Sequence, residues 1–182
     1  MLDLTKKVLP SAILVGGSYV KIKTDWRLWV RFTQLLEEDA SVEDLAFLFQ
    51  EGTVPEQKEE CIKALIDFAF PKKPLPRSDG KTGEKILDYR IDADLIYSAF
   101  REQYGIDLIK TDMHWHTFSA LLAGLHNTKL NEIMSARSYD PNDHTKYEEA
   151  QLKMKNAWTL EGVVTSEDEE KKESDFDRAF SL

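Results

Sequence analysis

Along the chain, the spacing of hydrophobic and polar positions changes period once, near the start. Ala12-Ile13-Leu14-Val15 is a short β-prone run, Gly16-Gly17-Ser18 has turn chemistry, and Tyr19-Val20-Lys21-Ile22-Lys23 alternates apolar and polar. The pattern predicts a β-hairpin with Tyr19 and Lys21 on one face and Val20 and Ile22 on the other. Two strands alone are marginal, so the hairpin must pack on helices or pair with another chain. From Thr24 the period becomes helical. Thr24 is expected to cap a helix running to about residue 39, with Asp25 in the first turn, where a helix favours negative charge. Trp26, Trp29, Val30 and Leu36 mark its apolar side, and Arg27, Arg31, Gln34 and Glu38 its polar side. Ser41 and Asp44 are spaced as a capping box ahead of a short helix carrying Leu45, Phe47, Leu48 and Phe49, closed by Gly52. Pro55 suits the first position of the next helix, over 56–70, whose apolar side is Cys61, Ile62, Leu65, Ile66 and Phe68.

Pro71 stops that helix. Residues 71–85 hold three prolines, two glycines and five basic residues around a lone Leu75, the composition of a flexible connection. Beyond it, Asp88 or Asp92 is expected to cap a helix to Tyr104 with Leu95, Ile96, Ala99 and Phe100 on its apolar face, and Gly105 supplies the left-handed stop. Thr111 or Asp112 should cap a helix over 113–123 that Gly124 ends. Thr128 should start a helix carrying Leu130, Ile133 and Met134, and Asp143 one over 144–158. The fold class expected is mostly α: a helical bundle preceded by an N-terminal β-hairpin, with an acidic, flexible C-terminal tail. The boundaries drawn are 1–70 for hairpin plus helices, 71–87 for the linker, 88–160 for the C-terminal helical part and 161–182 for the tail.

Charge sharpens this picture. The net charge of −9 argues against a sequence-independent grip on nucleic acid, which needs clustered Lys and Arg, and against an anionic membrane surface. Eight acids and three bases fall in residues 161–182, so about half of the net charge sits there. Phe176 and Phe180 interrupt that stretch four residues apart, a spacing at which a short amphipathic helix could dock on a partner. Cys61 is the one cysteine, so no intramolecular disulfide forms, and its apolar helical setting beside Ile62 and Leu65 reads as core. The start lacks the longer apolar region of a secretory signal, and no apolar run approaches the length of a membrane span. The natural compartment is the reducing cytoplasm.

Chemistry is sparse. There is no glycine-rich phosphate loop, nucleophile elbow or helical two-histidine zinc motif. In His114-Trp115-His116 the imidazoles stand two apart, which on a helix separates them by about 200° and prevents convergence on one ion. Asp112 and His116 have the better i, i+4 spacing, but such a pair is common by chance. The acid pairs Glu37-Glu38, Glu59-Glu60 and Glu148-Glu149 read as solvated helix faces. The expectation is a protein without catalytic residues, metal or cofactor.

One stretch carries a resemblance. Asp94-Leu-Ile-Tyr-Ser-Ala-Phe-Arg-Glu-Gln-Tyr-Gly-Ile-Asp-Leu108 is followed by Met113-His-Trp-His-Thr-Phe-Ser-Ala-Leu-Leu-Ala-Gly-Leu125 and by Ile133-Met-Ser-Ala-Arg137. This pattern resembles the bacteriophage "gene product fifteen" family of tailed phages and prophages of Gram-positive bacteria. His116 departs from it, standing where the family often has a second aromatic residue. The resemblance implies a gene just ahead of the tape-measure protein, a position like that of tail assembly chaperones. It therefore implies a non-enzymatic chaperone or adaptor in the host bacterial cytoplasm, with the helical tape-measure protein as partner and self-association along it. The alternative is a minor tail or connector component of the virion. Tyr97, Phe100, Tyr104, Trp115 and Phe118 are the candidate partner contacts, core packing being the other reading of each. Asp107 and Arg137 are candidates for a structural ion pair or for a cap that fixes the connector.

Overall fold

The computed structural model describes residues 3–38, 40–70, 85–140 and 147–160. The expected linker up to residue 84, the acidic tail over 161–182 and the expected cap Asp143 lie outside the described residues. Within them the protein is mostly α, with a two-stranded antiparallel hairpin near its N-terminus.

The hairpin joins β1 (Ala12–Val15) to β2 (Ser18–Lys21) in the register Ala12 to Lys21 and Val15 to Ser18. Gly16 and Gly17 form the two-residue turn with φ of +57° and +76°, the left-handed pair whose twist matches that of the strands. Ile13, Val15 and Ile22 are buried, whereas Leu14 and Tyr19 oppose each other on the outward face. The packing that two strands require comes from α2 (Lys58–Ala69), which lies on β1, and from the chain around Phe49. There Lys23 N–H donates to Leu48 O at 2.7 Å and Gln50 N–H to Lys21 O at 3.3 Å.

The next helix, α1 (Trp26–Glu37), is capped by Asp25 instead of Thr24. Asp25 Oδ1 accepts from Arg27 N–H at 2.9 Å, while the Thr24 carbonyl accepts from Trp115 N–H at 2.8 Å and holds the backbone there extended. The core face of α1 is Trp29, Phe32 and Thr33, with Trp26, Val30 and Leu36 only half-buried. Ser41 and Asp44 form their box, Ser41 N–H and Oγ–H both reaching the Asp44 carboxylate, ahead of a 3₁₀ helix over Val42–Leu48. Helix α2 begins three residues beyond Pro55 and buries Cys61, Leu65, Phe68 and Ala69, leaving Ile66 exposed.

Helices α3 (Ala93–Tyr104) and α4 (Trp115–Gly124) follow. Gly105 ends α3 at φ +67°, as expected. Gly124 acts differently: it is the last residue of α4, and the Tyr104 hydroxyl sits 3.0 Å from where its Cβ would be, so close approach selects glycine there. The chain divides into two compact units, Met1–Pro76 with Asp94–His126, and Arg77–Ala93 with Asn127–Leu182. The division is not the linear one drawn from the linker, because Phe100, Trp115 and Phe118 enter the same core as Trp29 and Phe68.

In the second unit, Thr128 caps α5 (Lys129–Arg137) as expected, its Oγ1 donating to Asn131 Oδ1 at 2.7 Å. Helix α6 (Glu148–Trp158) packs against α5, and Leu130, Ile133 and Leu160 are buried. Arg137 does not pair with Asp107. Its guanidinium meets Asp92 in a fork at 2.6 and 2.9 Å, both side chains being almost fully buried, and donates further to Ile86 O and Trp158 O. Asp107 instead accepts from Ile109 N–H at 3.1 Å, within its own turn, and from the hydroxyl of Tyr97 in α3 at 3.4 Å. A buried charge stripped of its partner is strongly unfavourable, so Asp92→Asn should destabilise the second unit by about 3–5 kcal/mol in urea unfolding. The double variant Asp92→Leu/Arg137→Met should lose less than either single change, since no lone charge is left behind.

Candidate interaction surface and the aromatic core behind it

Trp115 and His116 sit in the first turn of α4 and point into the end of α2. Trp115 Nε1–H donates to Ala69 O at 3.0 Å, and His116 Nε2 meets Phe68 O at 2.8 Å, which requires the proton on that nitrogen. These are two of the carbonyls that an α-helix leaves without an intrahelical donor. His114 is the N-cap of α4: its Nδ1 accepts from His116 N–H at 3.0 Å, so Nε2 carries the proton and donates to Pro10 O at 2.9 Å. The three residues thus fasten the entry of α4 to α2 and to the strand leading into the hairpin. Asp112, which shares metal-like spacing with His116, forms an ion pair with Arg27 at 3.0 Å.

Arg27 organises the connector ahead of α4. Its guanidinium donates to the carbonyls of Leu108, Ile109 and Thr111 at 3.0, 3.2 and 3.3 Å and also pairs with Asp25. Below it the rings form a continuous stack. Trp26 lies on Phe118 at 4.5 Å, Phe118 on Phe100 at 5.3 Å, and Trp29 contacts Phe68, Phe32 and Trp115.

Phe100, Trp115 and Phe118 are therefore interior, at 0, 2 and 0 % exposure, and present no surface to a partner in this conformation. Tyr97 and Tyr104 are half-buried, and each commits its hydroxyl inside the unit, Tyr104 to Leu121 O at 2.9 Å. The aromatic segment is the centre of the core because its rings fall at helical spacing against the Trp29 face of α1. Periodicity alone does not distinguish that from a face turned toward a partner. Cys61 is buried as well, and burial pushes its thiol up, away from the reactive thiolate.

Exposed apolar side chains are spread over the chain, among them Ile109 and Tyr147, and two of them meet on the hairpin. Leu14 and Tyr19 are 50 and 81 % exposed and face each other across the strands. Next to them is a shallow cleft of about 410 Å³, lined by Tyr19, Val20, Lys21, Phe49, Glu51 and the Val54-Pro55 corner. It opens where the outer edge of β2, paired with the opposing chain as far as Lys21, loses that partner as the chain turns at Gly52, φ +69°. The alternation of Tyr19 and Lys21 with Val20 and Ile22 already marked this face in the sequence. The cleft depends on a segment 30 residues further on and had no local signal.

Among the described residues, no helix is long and apolar enough to cross a membrane, and no three His, Cys, Asp or Glu side chains are grouped to hold a metal. This class of molecule, a small helical protein with an exposed hairpin, is a bacteriophage one by sequence. The family described as "Bacteriophage Gp15 protein" matches residues 7–160, and the chain belongs to that family. No curated protein and no solved structure matches it.

Two measurements follow from the fastening at α4. Trp115→Phe retains most of the ring but removes the donor to Ala69 O, leaving a buried carbonyl unsatisfied; thermal or urea unfolding should show a loss of about 1–3 kcal/mol. Burial holds the His114 imidazole below its ordinary 6.5, and protonation would both remove the cap acceptor and place charge at the positive end of α4. The unfolded chain then binds the proton more readily. The stabilisation is complete above about pH 6.5 and is lost as pH falls through the lower folded value. His114→Asn, a neutral cap, should flatten that part of the melting-temperature profile.

Proposed function

We propose that this protein is a non-enzymatic tail assembly factor of a tailed phage, a chaperone or adaptor that holds the helical tape-measure protein in the host cytoplasm until the tail forms. The observation that carries the reading is the family match over residues 7–160, joined to the tape-measure-proximal gene position that the sequence resemblance implies. The geometry supports a binding role. The imidazoles and indole of the His114-Trp115-His116 run are spent on backbone carbonyls, while Leu14 and Tyr19 and the adjoining cleft put apolar surface in solvent.

Co-expression with the tape-measure protein tests this directly. The expected result is a larger soluble fraction of the client and co-purification of the two chains; an unchanged soluble fraction with no co-purification overturns it. Mass spectrometry of purified particles adds a second test. A chaperone should be missing from the finished tail, and stoichiometric presence there would replace this reading with that of a minor tail or connector component.

A further inference from the structure

The outward face of the hairpin carries both halves of a complementary pair. Tyr19, 81 % exposed, forms one rim of the cleft that Val20, Phe49, Val54 and Pro55 also line at the edge of β2, so a knob and a hole adjoin. Charge is arranged in the same way. Lys21 and Lys23 follow Tyr19 on the outward face by strand alternation and are exposed. Glu51 lines the same cleft as Lys21, with Glu56 exposed just after Pro55 in the chain, although residues 1–31 as a whole are net basic.

A partner of one sign would be attracted by half of this surface and repelled by the other half. A surface holding adjacent, opposite features is instead matched by itself turned through a two-fold axis, since patch one then meets patch two at both ends. We propose that this face is a symmetric dimer interface occupied by a second copy of this chain. Tyr19 of each copy enters the cleft of the other, and Lys21 and Lys23 face the partner's Glu51 and the partner's Glu56. An aromatic anchor seated in a pocket and ringed by charge is the usual form of an interface centre. The proposal goes beyond the tail assembly reading and is tested without any client, so either can fail alone.

The test is sedimentation equilibrium of the purified full chain, with far-UV circular dichroism to confirm folding. The wild type should be a dimer, and Tyr19→Glu should weaken association about thirtyfold or more with an unchanged spectrum. Two charge reversals keep the proposal falsifiable should that variant misfold. Lys21→Glu/Lys23→Glu and Glu51→Lys/Glu56→Lys should each be monomeric alone and should form a one-to-one dimer when mixed. A wild type that stays monomeric, a dimer indifferent to these changes, or reversed variants that fail to associate on mixing would each overturn the proposal.

Discussion

Every α-helix ends in carbonyls with no intrahelical donor, and the organisation of this protein follows from how those ends are satisfied. At the end of α2 the donors are the Trp115 indole and the His116 imidazole. At the end of α4 they are the Tyr104 hydroxyl on Leu121 O and the Gln103 amide on Gly124 O. At the end of α6, Arg137 reaches Trp158 O, and Thr159 Oγ1 donates to Lys155 O. In nearly every case the donor belongs to another helix or to the residues flanking it. A helix end therefore doubles as a tertiary joint, and misplacing one element leaves a buried carbonyl unpaired at a cost comparable to a lost hydrogen bond.

Arg27 extends the same logic to a segment with no helix. The connector between α3 and α4 turns three carbonyls toward one guanidinium, whose five donors in a rigid fork can serve several acceptors at once. A lysine would supply a single point charge in its place. The connector is thereby held where Trp115 and Phe118 can reach the Trp26 and Trp29 rings, and the polar joint and the aromatic stack support each other.

This arrangement separates what marks the family from what is available for contact. The aromatic run over 94–139 carries the resemblance, yet its largest rings are interior and the polar atoms of Tyr97, Tyr104, Trp115 and His116 are bonded within the unit. On the hairpin, by contrast, Leu14 and Tyr19 stand out together from a basic stretch of an otherwise acidic chain. The sheet presents its apolar side chains in a regular row, and the helices behind it supply the packing that two strands lack by themselves.

The hairpin, the helical segments, the Ser41 box, the Thr128 start and the Gly105 stop were all legible in the sequence, because each rests on local chemistry: two consecutive glycines, a period of two or of about 3.6, a side-chain oxygen ahead of a free N–H. So was the pairing of Tyr19 with Lys21 on one hairpin face, which follows from alternation alone, whereas that this face is outward came from the fold. Only the tertiary structure decided that Asp25 displaces Thr24 as a cap, since that depends on Trp115 taking the Thr24 carbonyl. It also decided that Arg137 belongs to Asp92, that Gly124 is required by a hydroxyl from α3, and that Phe100, Trp115 and Phe118 face inward. Each of these joins residues 20 or more positions apart. Local pattern reports which side of an element is apolar, but the identity of the surface that meets that side is a property of the assembled chain.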